Sequence, residues 1–475
     1  MIRTDILIDN KNDISEDSES STSVVTGGQM KTDSNKNYIE RQEEYESNAR
    51  SYPRRIPIAI KKAEGLYVTD ADGKEYIDCL AGAGSIALGH NHPVMIDAIK
   101  GCLEHKNALL TLDLTTPVKD RFVEKLFSVL PADFSKAAKV QFCSPSGADA
   151  VEASVKLAKI ATGRSTVFAF SGSYHGVTNG ALALTGNRSM KEGVPNLMKD
   201  VAFLPFPYHY RCPFGIGGEA AEKISLSYIE SLLKDSHSGV GLPAAFIIEA
   251  VQGEGGAIPA SPFWMKGIRE ITAKYDIPLI LDEVQAGIGR TGHMFAFEDA
   301  GITPDIIVIS KAIGGSLPLS LVVYNKVLDK WNPGAHAGTF RGNQMAMAAG
   351  TAVLDYIAEH DLVGNAREKG KYLQNAFQDM HKKYPFIGEV RGRGLMIGLE
   401  IVDVNKKSNS LKSYPPNAGL ASKIQQECFK NGLIVETGGR QNAVLRLLPP
   451  LNLTDDQADE ILTIFGRVLH AVSES

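Results

Sequence analysis

Two polar residues, Asp282 and Lys311, stand at the carboxyl ends of two short apolar runs, 278–281 and 306–309. Short runs of Leu and β-branched residues bounded by Pro, Gly and charge read as strands buried on both faces of a parallel sheet. Ligands of such sheets bind beyond the strand C-termini. A carboxylate and an amine at neighbouring ends could therefore face one ligand. Taken singly, each has an ordinary reading, a helix-capping aspartate and a solvated loop lysine.

Three further junctions bear on what that ligand would be. SPSGADAVE (144–152) places small residues at the start of a helix, where free backbone N–H groups and the helix dipole favour an anion. Ser146 adds a hydroxyl, so the stretch reads equally as a phosphate cup or an ordinary N-cap. Tyr174, in SYHG (173–176), could lie flat on a planar ring or be plain core. Glu254, in QGEGG (252–256), follows a strand and is either close to a ligand or solvated. Together the pieces demand a planar ring carrying a phosphate, a basic nitrogen and an aldehyde. Asp282 would pair with the ring nitrogen and hold it protonated, since such a pair favours both ionised forms. Lys311 would form the Schiff base. Ser146, Gly147 and Ala148 would take the phosphate and Tyr174 would cover the ring. That ligand is pyridoxal 5′-phosphate.

The elements that must position these residues follow from length and pattern. A chain of 475 residues holds two domains, or one large α/β domain with appendages. With 43% hydrophobic and 22% charged residues and a net charge of −5, no basic excess points to nucleic acid. Cys79, Cys102, Cys143, Cys212 and Cys428 are scattered and odd in number, which suits free thiols in a reducing compartment and neither a zinc site nor a disulfide framework. No run approaches the ~18 apolar residues of a membrane span, and no secretory signal opens the chain. Cytoplasm is the expected location. Residues 9–37 are too polar to offset their ordering entropy and read as a flexible tail.

Asp72-Gly73 between two apolar stretches predicts a hairpin. GAGSIA (82–87) formally matches a dinucleotide fingerprint, but that motif needs a helix opening at its glycines. Here the next helix start is Pro93, so the match is rejected. His90 and His92 lack a further ligand at suitable spacing, and no metal is expected. From 139 to 324 strand–helix alternation predicts a largely parallel sheet, with strands at 140–143, 166–170, 201–204, 245–249, 279–282, 306–309 and 321–324. Strands at 394–402, 433–435 and 444–447 and a closing helix at 455–472 predict a smaller α+β domain. The expected division is a tail over 1–40, a first part of the small domain over 41–97, a large cofactor-binding domain over 98–345 and the rest of the small domain over 346–475.

SPSGADAVE, SYHG, EAVQGEGG, LILDEVQAGIGRTG, SKAIGGSLPLS and GTFRGN, in this order, resemble the class III (ω-amino) aminotransferases of fold type I. The resemblance runs from about residue 53 to 472. It implies that Lys311 is the Schiff-base lysine and proton shuttle, that Asp282 partners the pyridine nitrogen, and that Gln285 bonds the ring hydroxyl. Tyr174 and His175 would flank the ring. Thr339 would reach the phosphate of a second subunit, so a homodimer with shared sites is implied. Arg446 would grip the α-carboxylate of glutamate or 2-oxoglutarate, with Glu254 as its switchable partner. A guanidinium fork fits a carboxylate bidentately, and a swinging Glu254 would neutralise it when an amine binds instead. Many relatives carry an Arg where this chain has Val177, which weighs against a 4-aminobutyrate or ornithine donor. The runs 176–187, 49–65, 337–350 and 316–326 are most similar to the branch of the family that transfers the terminal amine of L-2,4-diaminobutyrate to 2-oxoglutarate. Ornithine, 4-aminobutyrate, lysine or a polyamine is the alternative donor.

Overall fold

The computed structural model describes residues 34–474. The expected strands form one sheet in the order Ala138–Phe142, Leu321–Asn325, Ile306–Ile309, Leu279–Asp282, Ala245–Ile248, Val167–Phe170, Val201–Leu204. Neighbours pair in parallel except at Leu321–Asn325, which runs antiparallel to both of its partners. The reason lies in the connection. The 310–320 segment holds only the one-turn helix Lys311–Gly314, too little chain for a crossover to a parallel strand.

Side-chain alternation explains the uninterrupted apolar runs. Leu279, Leu281, Ile307 and Ile309 join one apolar layer, while Ile280, Ile306 and Val308 join another built on Val151, Val155 and Leu157 of the helix Gly147–Thr162. By the same period, Asp282 shares the face of Ile280, the side on which that helix begins. Sheet and helix thus aim a carboxylate and a helix N-terminus at one space.

Two smaller sheets complete the molecule. Ile60–Glu64, Tyr67–Asp70 and Glu75–Asp78 form an antiparallel meander with its expected turn at Gly73 (φ 89°), and Leu433–Ile434 adds in parallel to its last strand. Ile387–Arg393, Met396–Ile401, Val444–Leu447 and Glu436–Gly438 form the other. The turn Ala81–Gly84 puts Gly82 and Ala83 in left-handed conformations, and the next helix is Pro93–Glu104. His90 Nε2 lies 2.9 Å from Asp78 Oδ2. All five cysteines are free. No helix of the described residues is long and apolar enough to cross a membrane.

Two expectations are corrected. The single strand expected over 394–402 is the second arm of a hairpin that turns at Gly394 (φ 52°). The first arm carries charge in place of an apolar run, yet Arg391 is buried against Glu389 and Glu400. The tail ends earlier than residue 37 or 40, because Asn35–Tyr45 is a helix capped by Ser34. Asn35 fastens that helix to Asp70, Asp72 and the backbone of Ala59 and Ala71. The rest of the expected tail lies outside the described residues.

Candidate active site

Lys311 follows the strand Ile306–Ile309 and takes a left-handed backbone (φ 55°), a conformation that costs a non-glycine residue about 1–3 kcal/mol. Its loop is pinned by Ser310 Oγ donating to Leu319 O at 2.9 Å. Burial lowers the proton affinity of the Lys311 amine, against the pull of Glu254 and Asp282. An amine so placed is partly available as a base and nucleophile.

Asp282 is buried. Its Oδ2 pairs with His175 Nδ1 at 2.7 Å and its Oδ1 accepts from Val284 N at 3.0 Å. A carboxylate has about four lone-pair sites, so capacity remains for a protonated ring nitrogen. His175 Nδ1 is thus engaged by Asp282. Its backbone N–H is fixed in turn by Thr185 Oγ1 at 3.0 Å.

Ser146 caps the helix Gly147–Thr162, its Oγ accepting from Ala148 N at 3.3 Å. A Cβ on Gly147 would come within 3.0 Å of Val284 Cγ1, so glycine alone lets this turn lie against the loop after Asp282. The result is a helix N-terminus beside the sheet ends, with Ser146 exposed and Gly147 and Ala148 half-buried. Tyr174 is half-buried, and its hydroxyl's proton affinity is raised by burial and by Glu254, Glu249 and Asp282 around it.

Gln285 Nε2 donates to Ala83 O at 3.0 Å, while its Oε1 is buried with no partner among the described residues. A Cβ on Gly253 would overlap that oxygen. A buried carbonyl without a donor is costly, and the hydroxyl of a pyridoxal ring supplies one. With Asp282 for the nitrogen, the helix start for the phosphate and Lys311 for the aldehyde, the residues fit pyridoxal phosphate.

Glu249 has no role that the sequence revealed, yet it ties the site together. It accepts from Tyr174 N and Gly253 N, each at 2.9 Å, and burial pushes its carboxyl up to about 7. A glutamate ending a buried strand was the available signal.

On the far side, Arg446 lies on Val444–Leu447, directly across from Glu436. Its Nη2 reaches Glu254 Oε1 and Glu436 Oε2, each at 2.6 Å, while its Nε and Nη1 are buried without partners among the described residues. The two carboxyls diverge. Burial pushes both up, but Arg446, Lys311 and Arg55 bring Glu254 below the usual range, whereas Glu436 stays above it, with Glu254 adding to its rise. Like charges that share one cation split in this way. Glu436, Arg55 and Tyr52 were not singled out in the sequence; only folding brings them here. Val177 is exposed, and so is Thr339 beside an exposed Phe340.

The aminotransferase class-III family description matches residues 48–469. The chain is 53% identical over 424 residues to a diaminobutyrate–2-oxoglutarate aminotransferase of Rhizobium meliloti (strain 1021), spanning 89% of this chain and 90% of that one. It is 52% identical over 442 residues to the Haemophilus influenzae protein of the same name, spanning 93% and 97%. Among solved structures, a PLP-bound amine transaminase from an uncultivated Pseudomonas species superposes with a TM-score of 0.80 at 28% identity, covering 90% of this chain and 98% of that one. An (S)-enantioselective omega-transaminase from Thermomicrobium roseum gives 0.82 at 26%, covering 92% and 99%.

Proposed function

The chain belongs to the class III aminotransferases, and from that premise we propose that it transfers the terminal amino group of L-2,4-diaminobutyrate to 2-oxoglutarate. The products are aspartate 4-semialdehyde and glutamate, in a reversible ping-pong cycle. Bound pyridoxal phosphate supplies the electron sink and carries the amino group between the two halves.

In this reading Ser146, Gly147 and Ala148 hold the phosphate, and Tyr174 covers the ring. Gln285 Oε1 accepts from the ring hydroxyl, and Asp282 keeps the ring nitrogen protonated while His175 orients Asp282. Lys311 would hold the aldehyde of the bound cofactor, and its freed amine would take the proton from C4 of the donor. Its lowered proton affinity suits both tasks.

Arg446 receives the α-carboxylate of 2-oxoglutarate. Glu254 is the carboxylate that moves away, because its side chain is 30% exposed against 7% for Glu436. With the diamine bound, Glu254 returns and neutralises Arg446. The Glu254–Arg446 pair, in a chain so close to diaminobutyrate aminotransferases, is the observation that carries the reading.

A homodimer with shared sites is part of the proposal. Arg341 Nη2 lies 3.0 Å from Asp113 Oδ2, which ties a segment bearing exposed Phe340 to one bearing exposed Leu109, Leu110, Leu112 and Leu114. Such a patch suits burial against a second copy, with Thr339 at its margin supplying the partner's phosphate contact. Five free thiols suit the cytoplasm. The test of function is a donor panel of diaminobutyrate, ornithine, 4-aminobutyrate, lysine and putrescine with 2-oxoglutarate, read as glutamate formed. Diaminobutyrate is expected to lead; indifference to it would end the reading.

A further inference from the structure

Resting on that reading, we propose that Glu436 selects the diamino acid by receiving the donor's α-ammonium, and that Arg55 receives the donor's carboxylate. Bond counting sets the problem. In diaminobutyrate the carboxyl carbon lies three bonds from the reacting C4. In 2-oxoglutarate the far carboxyl carbon also lies three bonds from the reacting C2. One fixed cation at that reach serves both substrates. The near carboxylate, which only 2-oxoglutarate has, belongs to Arg446. What only the donor has is the α-ammonium, likewise three bonds from the reacting carbon, and an anion must read it.

Glu436 is that anion. It is buried, held across the strand pair by Arg446, and shares a single nitrogen of Arg446 with Glu254. Because Glu254 neutralises Arg446 while the diamine is bound, Glu436, the more buried of the two carboxylates, has its charge to spare for a cation. Arg55 supplies the matching positive charge. Its Nη1 donates to Thr437 O at 3.1 Å, the residue next to Glu436, and its charge reaches both Glu254 and Glu436. Ammonium on Glu436 and carboxylate on Arg55 pair every charge of the donor's zwitterionic end. Burial and Glu254 raise the proton affinity of Glu436, which lets it become neutral when 2-oxoglutarate brings its own carboxylate to Arg446.

The test compares the first half-reaction of the cofactor-loaded enzyme with diaminobutyrate, with 4-aminobutyrate, which differs only in lacking the α-ammonium, and with glutamate. Glu436→Gln is expected to cut the preference for diaminobutyrate over 4-aminobutyrate by roughly tenfold or more, the effect of removing a hydrogen bond to a charged group, chiefly through KM. Glutamate is expected to gain relative to diaminobutyrate, because Arg446 loses a competitor. Glu436→Asp, which keeps the charge, should retain more of the preference than Glu436→Gln. Arg55→Gln should weaken all three substrates together. Equal losses on all three for Glu436→Gln would mark a structural role and overturn the inference, with the function intact. A wild-type enzyme inert towards diaminobutyrate would overturn both.

Discussion

His175 Nδ1 lies 2.7 Å from Asp282 Oδ2, and both side chains are sealed from solvent. The imidazole restricts which oxygen of Asp282 faces a ring nitrogen and offsets the cost of a buried carboxylate. His175→Ala should cost about 1–3 kcal/mol of stability in the cofactor-free protein, since Asp282 loses a buried partner. In the loaded enzyme it should shift the pH dependence of the cofactor's visible absorbance. An unmoved titration would leave His175 with packing alone.

Lys311→Ala should abolish the visible band of lysine-bound cofactor and slow turnover by at least roughly 10²–10⁴-fold, the loss of one positioned proton transfer. Near-UV circular dichroism should show the fold intact. Retained turnover would refute the assigned role.

Arg446→Ala should damage the 2-oxoglutarate half-reaction more than the amine half-reaction in single-turnover absorbance. It also strands Glu254 and Glu436 beside each other, so a stability loss of about 3–5 kcal/mol is expected by denaturant titration. Equal damage in both halves would undo the switching argument.

Gly253→Ala tests the ring slot. The added methyl would overlap Gln285 Oε1, forcing that side chain off the place assigned to the ring hydroxyl. Cofactor affinity, measured by equilibrium dialysis, should fall by roughly tenfold or more, the worth of about one displaced hydrogen bond and its packing. Unchanged affinity would remove Gln285 from the site.

Much of this site was legible because its residues sit at junctions with local signals. Asp282 and Lys311 end apolar runs whose burial on both faces needs no partner information. Ser146 and Gly147 announce themselves by small size ahead of a helix. Glu436 and Arg55 gave no such signal: one lies in a strand of three residues, the other in a loop, and their meeting depends on pairings across most of the chain. The arm Ile387–Arg393 shows no apolar run for a related reason, since Arg391 pairs with Glu389 and Glu400 and Arg393 with Asp299. The helix Asn35–Tyr45 buries no side chain fully. Ser34 and Asn35 hold it, and composition cannot report single hydrogen bonds.

Glu283 offers a pH test outside the chemistry. It accepts from Ala296 N and Phe297 N, and burial pushes its carboxyl from 4.5 up to about 8. Below about pH 4.5 both folded and unfolded forms hold the proton. Between about 4.5 and 8 the unfolded chain gives it up first, so stability falls as pH rises, and the loss is complete above about 8. Thermal melts of wild type against Glu283→Gln should diverge across that window by a few degrees. Parallel curves would show that the carboxyl titrates normally.

Pairing Leu433–Ile434 with Glu75–Asp78 has a consequence for synthesis on the ribosome. Lys74 and Lys430, bonded across this join, are 356 residues apart. At roughly 5–20 residues per second, the early meander waits roughly 20–70 s for its last strand. Until then one edge of Glu75–Asp78 is unpaired and open to other nascent chains. Production at low temperature or with chaperones in excess would shield that edge during the interval.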